Sequence, residues 1–309
     1  MSKKYRLVTR SDFDGLVCAL LLKSLKLIND VKFVHPNDVQ NNKVNVDSGD
    51  IVANLPYAPA AHLVFDNHAS EALRCRTSQN NYVFSVSAPS TARLLYDYYL
   101  PHYPSLSTFA STVDVADKCD SAQFNIEDIT HPSGWVLINF LMDARTGLGR
   151  FRQFRISNYA LMIELVQHCE HCTAEQLLAL PDVKERVELY FAHAASAKQQ
   201  IQQCIRLDDM IGILDLREQD PIYVVNRFVV YVLYPQIKVS IHLLRNYDDI
   251  VDTIAVAKSI FNRGAKVDIA RLMLAHHGGG HTNTGTCQVP RNTVDKVLQE
   301  IIHHIKVAD

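Results

Sequence analysis

The chain has 309 residues, of which 48% are hydrophobic and 21% charged, and its 31 basic and 33 acidic residues leave a formal net charge of −2. That length accommodates two domains, each with its own core, and the composition excludes a disordered or fibrous protein. The near-neutral balance also excludes a broad basic face of the kind that tracks long nucleic acid or long polyphosphate, so any attraction for polyanions must be local.

Taken in order, the chain opens on an apolar strand, Tyr5-Arg6-Leu7-Val8-Thr9, that runs into Ser11-Asp12-Phe13-Asp14-Gly15 and a helical pattern over residues 15–27. The apolar stretch within that helix, Leu16 to Leu22, is far too short to span a membrane, and Met1 to Tyr5 carry no signal-peptide core. A cytoplasmic protein is expected. Further strands are expected over 31–35, 51–54, 62–66, 82–86 and 111–116, with a helix over 90–99. Strands alternating with helices specify an α/β fold with a mostly parallel sheet, whose ligands gather beyond the carboxyl ends of the strands. Asp12, Asp14, Asp66, His68 and Asp117 all fall at such ends in this reading.

From Trp135 to about Leu207 the pattern turns helical, with one long connecting helix over 183–206. Strands follow over 211–216, 222–233 and 239–244, then helices over 268–276 and 293–305. The expected organisation is an N-terminal metal-binding domain (1–182), a connecting helix (183–208) and a smaller α/β substrate-binding domain (209–309). Seven cysteines, an odd number in a chain without a secretory signal, argue for free thiols. Cys169-Glu170-His171-Cys172 has zinc-like spacing but no second pair at finger distance, and reads as the exposed end of a helix.

Carboxylates at i and i+2 in a strand-end loop, as in Asp12 and Asp14, can turn towards one point and hold divalent cations. Val64-Phe65-Asp66-Asn67-His68 is a second apolar strand ending in metal-friendly side chains. In Val113-Asp114-Val115-Ala116-Asp117-Lys118-Cys119-Asp120-Ser121 a strand ending at Ala116 would present Asp117, with Asp120-Ser121 capping the next segment. Gly278-Gly279-Gly280-His281 is a glycine run whose backbone amides can approach an anion closely. Arg145, Arg150, Arg152 and Arg155, flanking Gly147 and Gly149 with no acidic residue among them, offer either an anion-gathering site or a solvated basic face.

These motifs, in this order, resemble those of the DHH phosphoesterase superfamily, in particular the exopolyphosphatase-related and nano-RNase branch with its DHH-associated C-terminal domain. The resemblance implies a phosphoesterase using Mn2+ or Mg2+, two ions in an intact site, with Asp12, Asp14 and Asp117 as metal ligands. It implies catalytic roles for Asp66, Asn67 and His68, and substrate binding by Asn262, Arg263, Gly278, Gly279, Gly280 and His281. Two positions depart from the pattern. Val8 stands where many branches carry a histidine, and Asn67 stands where the signature has an imidazole ligand. An amide oxygen is the poorer ligand for Mn2+ or Zn2+, so Asn67 is expected to weaken or abolish turnover. The bridging carboxylate of the second motif is unassigned between the region of Asp50 and that of Asn54.

The charge balance and the resemblance together point to a short linear dinucleotide such as pGpG as substrate, cleaved to mononucleotides. An exopolyphosphatase-like phosphohydrolase and a catalytically dead nucleotide-binding module are the alternatives. No membrane or long nucleic-acid partner is expected, and a homodimer is left open.

Overall fold

The structure, a computed structural model, describes residues 3–74, 79–246 and 250–309. It divides into two compact units, Met1–Ala192 and His193–Asp309.

The strands of the first unit are β1 (Tyr5–Arg10), β2 (Ile28–Val34), β3 (Asp50–Ala53), β4 (Leu63–Asp66) and β5 (Tyr82–Phe84). Its helices are α1 (Phe13–Ser24), α2 (Pro36–Gln40), α3 (Ala69–Arg74), α4 (Thr91–Tyr99), α5 (Ala110–Asp120), α6 (Ile126–Thr130), α7 (Gly134–Met142), α8 (Asn158–His168) and α9 (Ala174–Leu178). The α/β expectation holds. The five strands pair in parallel in the order β2-β1-β3-β4-β5. Leu7, Val8, Ile51, Val52, Val64 and Phe65 on the central strands are all buried, as a parallel sheet covered on both faces requires. The chain steps one way from β1 to β2 and the other way from β3 onward, so the carboxyl ends of β1 and β3 flank a topological switch point.

The strand expected over 111–116 is instead part of α5. Val113, Ala116 and Cys119 are its buried residues, and their spacing of three is that of a helix face. The β-branched run had suggested a strand, but burial on one helical stripe decides the conformation. The zinc-like tetrad falls where a helix ends, with Cys169 capping α8.

The helix expected to connect the domains is α10 (Pro181–Cys204), and the division between the units falls within it. The second unit continues through β6 (Ile205–Asp208), β7 (Ile211–Asp215), α11 (Val229–Leu233), β8 (Val239–Arg245), β9 (Val251–Lys258), α12 (Ile269–Leu274), β10 (Gly279–His281), β11 (Thr284–Pro290) and α13 (Val294–Ala308). Its mixed sheet has the order β10-β11-β9-β8-β7-β6, with β7 and β8 parallel and the other pairs antiparallel. Ile213, Ile241, Ile254 and Val256 of the sheet share a core with Val294, Leu298, Ile301 and Ile305 of α13.

Residues 222–233, expected as a strand, contain the short helix α11. Val229, Val230 and Tyr231 are all buried, and an apolar run that short has no periodicity to separate helix from strand. Among the described residues, no helix is long and apolar enough to cross a membrane.

Candidate active site

The first motif is shaped by the turn from β1 into α1. Asp12 is the N-cap of α1, its Oδ1 accepting from the Gly15 amide at 2.9 Å, as capping carboxylates do. Glycine is required at position 15 because a Cβ there would collide with the Arg10 carbonyl. The same Oδ1 accepts from Asn54 Nδ2 at 2.8 Å, and Oδ2 pairs with Arg10 Nε at 3.1 Å. Asn54 follows β3 in the left-handed region, at φ +58°, a conformation asparagine tolerates better than most residues. It therefore stands at the switch point, bonded to the metal-motif aspartate. Asp50 lies at the opposite end of β3, gripped by Arg6 at 2.8 and 2.9 Å, and is remote from this turn.

Asp14 is buried, and its two oxygens accept from the Thr91 and Ala92 amides at 3.0 and 2.8 Å. Those amides open α4, so helix-end donors hold the carboxylate. Burial nevertheless pushes the Asp14 carboxyl well above its ordinary range, reinforced by the charges of Asp120 and Asp12, against the pull of the two amides. Asp12 is raised in the same way, by burial first and then by Asp120 and Asp143, with Arg10 and the Gly15 amide opposing.

Asp117 is not at a strand end. It lies on α5, where Ser90 Oγ donates to it at 2.6 Å and Arg93 Nε at 2.8 Å, while Arg93 also bonds Asp114 at 2.6 Å. These bonds tie α5 to the start of α4. Asp120, the last residue of α5, lies one turn further on and is the member of this motif whose charge bears on Asp12 and Asp14.

After β4, Asp66 is fully buried, with Oδ1 bonded to His68 Nδ1 at 2.7 Å and Oδ2 accepting from the Tyr82 hydroxyl at 3.3 Å. Burial disfavours the His68 imidazolium, but the Asp66 charge and hydrogen bond outweigh it, and the net shift is upward. The buried Asn67 amide accepts from the Thr91 hydroxyl at 3.0 Å. It donates to the Ala88 carbonyl at 3.2 Å and to Asp120 Oδ2 at 3.3 Å. The carbonyl acceptor fixes which end of the amide is nitrogen. Asn67 thus links the third motif to Asp120, with both ends of its side chain engaged.

In the second unit, Gly279 and Gly280 pair with Thr286 and Gly285 in the β10–β11 hairpin. Packing calls for glycine at positions 278 and 280. A Cβ at Gly278 would strike the Thr286 carbonyl, and one at Gly280, at φ +148°, would strike that of Thr284. The hairpin end also carries His281, opposite Thr284. Arg227, which the sequence did not single out, donates to Thr284 Oγ1 at 3.2 Å and lies 4.4 Å over the Phe228 ring. Asn262 Nδ2 donates to the Gln236 carbonyl at 3.0 Å, and the exposed Arg263 donates from Nε to Ile260 O at 2.8 Å.

No family model and no curated protein matches the chain. Among solved structures, it is 46% identical to the pGpG-specific phosphodiesterase PggH from Vibrio cholerae, with 99% of this chain and 100% of that one covered and a TM-score of 0.77. The chain belongs to the DHH phosphoesterase superfamily. RecJ from Thermus thermophilus, solved in complex with Mn2+, shares the fold at 14% identity and a TM-score of 0.51, over 97% of this chain and 51% of that one.

The donor chemistry here suits a divalent metal: Asp12, Asp14 and Asp120 are hard oxygen donors, and the charge of Asp120 adds to burial in raising the carboxyls of Asp12 and Asp14. A bound dication would relieve that repulsion. Each carboxylate retains acceptor capacity beyond its present hydrogen bonds. As they stand, no three His, Cys, Asp or Glu side chains among the described residues are grouped so as to hold a metal. Two side chains of the site were not assigned their part from the sequence: Asp120, read only as a cap, and Asn54, named only as one region for the second motif. The first could have been found from the helical spacing of Val113, Ala116 and Cys119, which puts Asp120 at the helix end.

Proposed function

We propose that the chain is a metal-dependent phosphodiesterase that hydrolyses pGpG to mononucleotides. The observation that carries this is its 46% identity, end to end, with a pGpG-specific phosphodiesterase. The shape of the candidate site supports it: mutually repelling carboxylates and an aspartate-bound histidine share the carboxyl edge of a parallel sheet.

In this reading Asp12, Asp14 and Asp120 hold the metal, with Asp120 taking the part first expected of Asp117, which Arg93 and Ser90 already occupy. Mn2+ or Mg2+, two ions in a fully liganded site, would supply Lewis-acid polarisation of the phosphoryl group and a lower pKa for the attacking water. Asn54 and Asn67 fix Asp12 and Asp120 through their amides. Asp66 holds His68 by Nδ1 and favours its charged form, so Nε2 is the atom that hands a proton to the leaving 3′-oxygen. Asn67 is, on this view, a working part of the centre rather than a lost ligand. Asn262, Arg263, His281 and the Gly278, Gly279 and Gly280 run would bind the nucleotide, with Arg227 beside the hairpin as an additional cation.

The test is hydrolysis of pGpG, longer oligonucleotides and polyphosphate by the purified chain with Mn2+. Mononucleotides from pGpG, with little action on the other two, are expected. Orthophosphate released from polyphosphate while pGpG stays intact would overturn the proposal.

A further inference from the structure

The run Arg145, Arg150, Arg152 and Arg155 does not act as one basic patch. Arg155 is bound by Asp182 of α10, its Nε at 2.8 Å. Arg150 packs its guanidinium against Gly147, whose φ of +96° and lack of Cβ make room for it. Arg152 is exposed. Arg145 differs from all three. It sits in a 3-10 turn (Ala144–Thr146) directly after α7, a helix packed against both α1, which Asp12 caps, and α5, which ends in Asp120.

Asp143, at the end of α7, holds Arg145 twice through one oxygen: Oδ1 accepts from its backbone amide at 2.9 Å and from Nε at 2.8 Å. Both side chains are largely covered, at 34% and 14% exposure. Among the described residues no protein acceptor takes Nη1 or Nη2 of Arg145. The charges of Asp12 and Asp120 nonetheless favour its guanidinium, so it stands within their field. Arg93 spends both its inner and outer nitrogens on carboxylates, with Nε on Asp117 and Nη2 on Asp114 and Asp117. Arg145 gives only Nε of its side chain to a carboxylate, that of Asp143, which leaves the outer fork open in the field of Asp12 and Asp120. A planar pair of N–H donors there matches two oxygens of a phosphate group.

We propose that Arg145, oriented by Asp143, binds the non-bridging oxygens of the scissile phosphate through Nη1 and Nη2. The inference rests on the phosphodiesterase reading and names the substrate contact that the N-terminal unit contributes by itself. Asp143 is the positioning residue, and charge delivered without the fork does not suffice.

The test compares wild type with Arg145→Ala, Arg145→Lys and Asp143→Asn, all checked for native circular dichroism. Two readouts are used: Mn2+-dependent pGpG hydrolysis, and calorimetric binding of inorganic phosphate to the Mn2+-loaded protein. Arg145→Ala is expected to lower kcat/KM by about 10²- to 10³-fold, the usual cost of one oxyanion donor. Arg145→Lys recovers only a small part of this, and added guanidinium rescues the alanine variant. Phosphate affinity falls about tenfold or more, while Mn2+ affinity is unchanged or rises because a neighbouring cation is gone. Asp143→Asn shows the same pattern more weakly. Wild-type phosphate affinity and kcat/KM in Arg145→Ala would overturn the proposal, as would a parallel loss of Mn2+ affinity or full activity in Arg145→Lys. If the wild type leaves pGpG intact but Arg145→Ala still loses phosphate, the phosphodiesterase reading fails and the arginine's role stands.

Discussion

Replacing Asn67 separates two accounts of the centre. If Asn67 is a degraded metal ligand, Asn67→His restores an imidazole donor and should raise turnover. If it is the bridge described above, both Asn67→His and Asn67→Ala remove something in use. Asn67→Ala takes partners from the buried Thr91 hydroxyl (3.0 Å), the Ala88 carbonyl (3.2 Å) and Asp120 (3.3 Å). The hydroxyl bears the full cost of an unmet buried group, roughly 1–3 kcal/mol, and the other two, partly reached by water, lose about 0.5–1.5 kcal/mol each. The sum is about 4 kcal/mol, which for a unit of this size lowers Tm by roughly 8–16 °C. Calorimetric melting of metal-free protein, with Mn2+-dependent turnover measured alongside, gives both numbers. The expected result is a lower Tm for both variants and no gain in turnover from Asn67→His. A substantial rise in turnover with Asn67→His, or an unshifted Tm for Asn67→Ala, would refute the bridging account.

Without metal, Asp12 and Asp14 keep their protons more tightly folded than unfolded, so the stability they contribute is fully present below the ordinary carboxylate range and is lost as pH rises through their raised values. Asp120→Asn removes one of the charges responsible, and its Tm should therefore gain on wild type between pH 4 and pH 7; a gap that does not change with pH would count against the cluster. Mn2+ at about 100 times its Kd should stabilise the wild type by about 2.7 kcal/mol, or roughly 5–11 °C in Tm. That shift should vanish in Asp12→Asn and Asp120→Asn but persist in Asp117→Asn, and the reverse order would return the metal role to Asp117. Arg263→Ala should raise KM for pGpG with little change in the Mn2+-induced shift, as measured by steady-state kinetics and thermal melting; equal loss of both would end the division of labour between the units.

Much of this was legible in the sequence. The strand-loop-helix around Asp12-Phe13-Asp14-Gly15 is a local pattern, in which the cap, the close-packed glycine and the apolar helix all agree, and the structure follows it. The same holds for β4 running into Asp66. What misled was a competition between two periodicities. In residues 111–120 valines and alternation favour a strand, whereas the stripe Val113, Ala116, Cys119 favours a helix, and packing against α1 and α4 settles it. That one decision moved attention from Asp120 to Asp117. The hydrogen bonds of Asn54 and Asn67 were out of reach for another reason: they join residues far apart in the chain, Asn54 to Asp12 and Asn67 to Ala88, Thr91 and Asp120, and no local pattern encodes them.

The continuous helix Pro181–Cys204 has a consequence for taking the protein apart. Its 24 residues rise over roughly 36 Å, and the boundary between the compact units cuts it near the middle. A fragment ending at Ala192 would close on a helical stub too short to persist in water without tertiary support. A fragment beginning at His193 would start on one, with Ala197 and Ile201 still needing their buried places. Gene fragments meant to express either unit alone should therefore both contain the whole helix, overlapping rather than abutting, and a protease given the intact protein should find no easy cleavage point where the units divide.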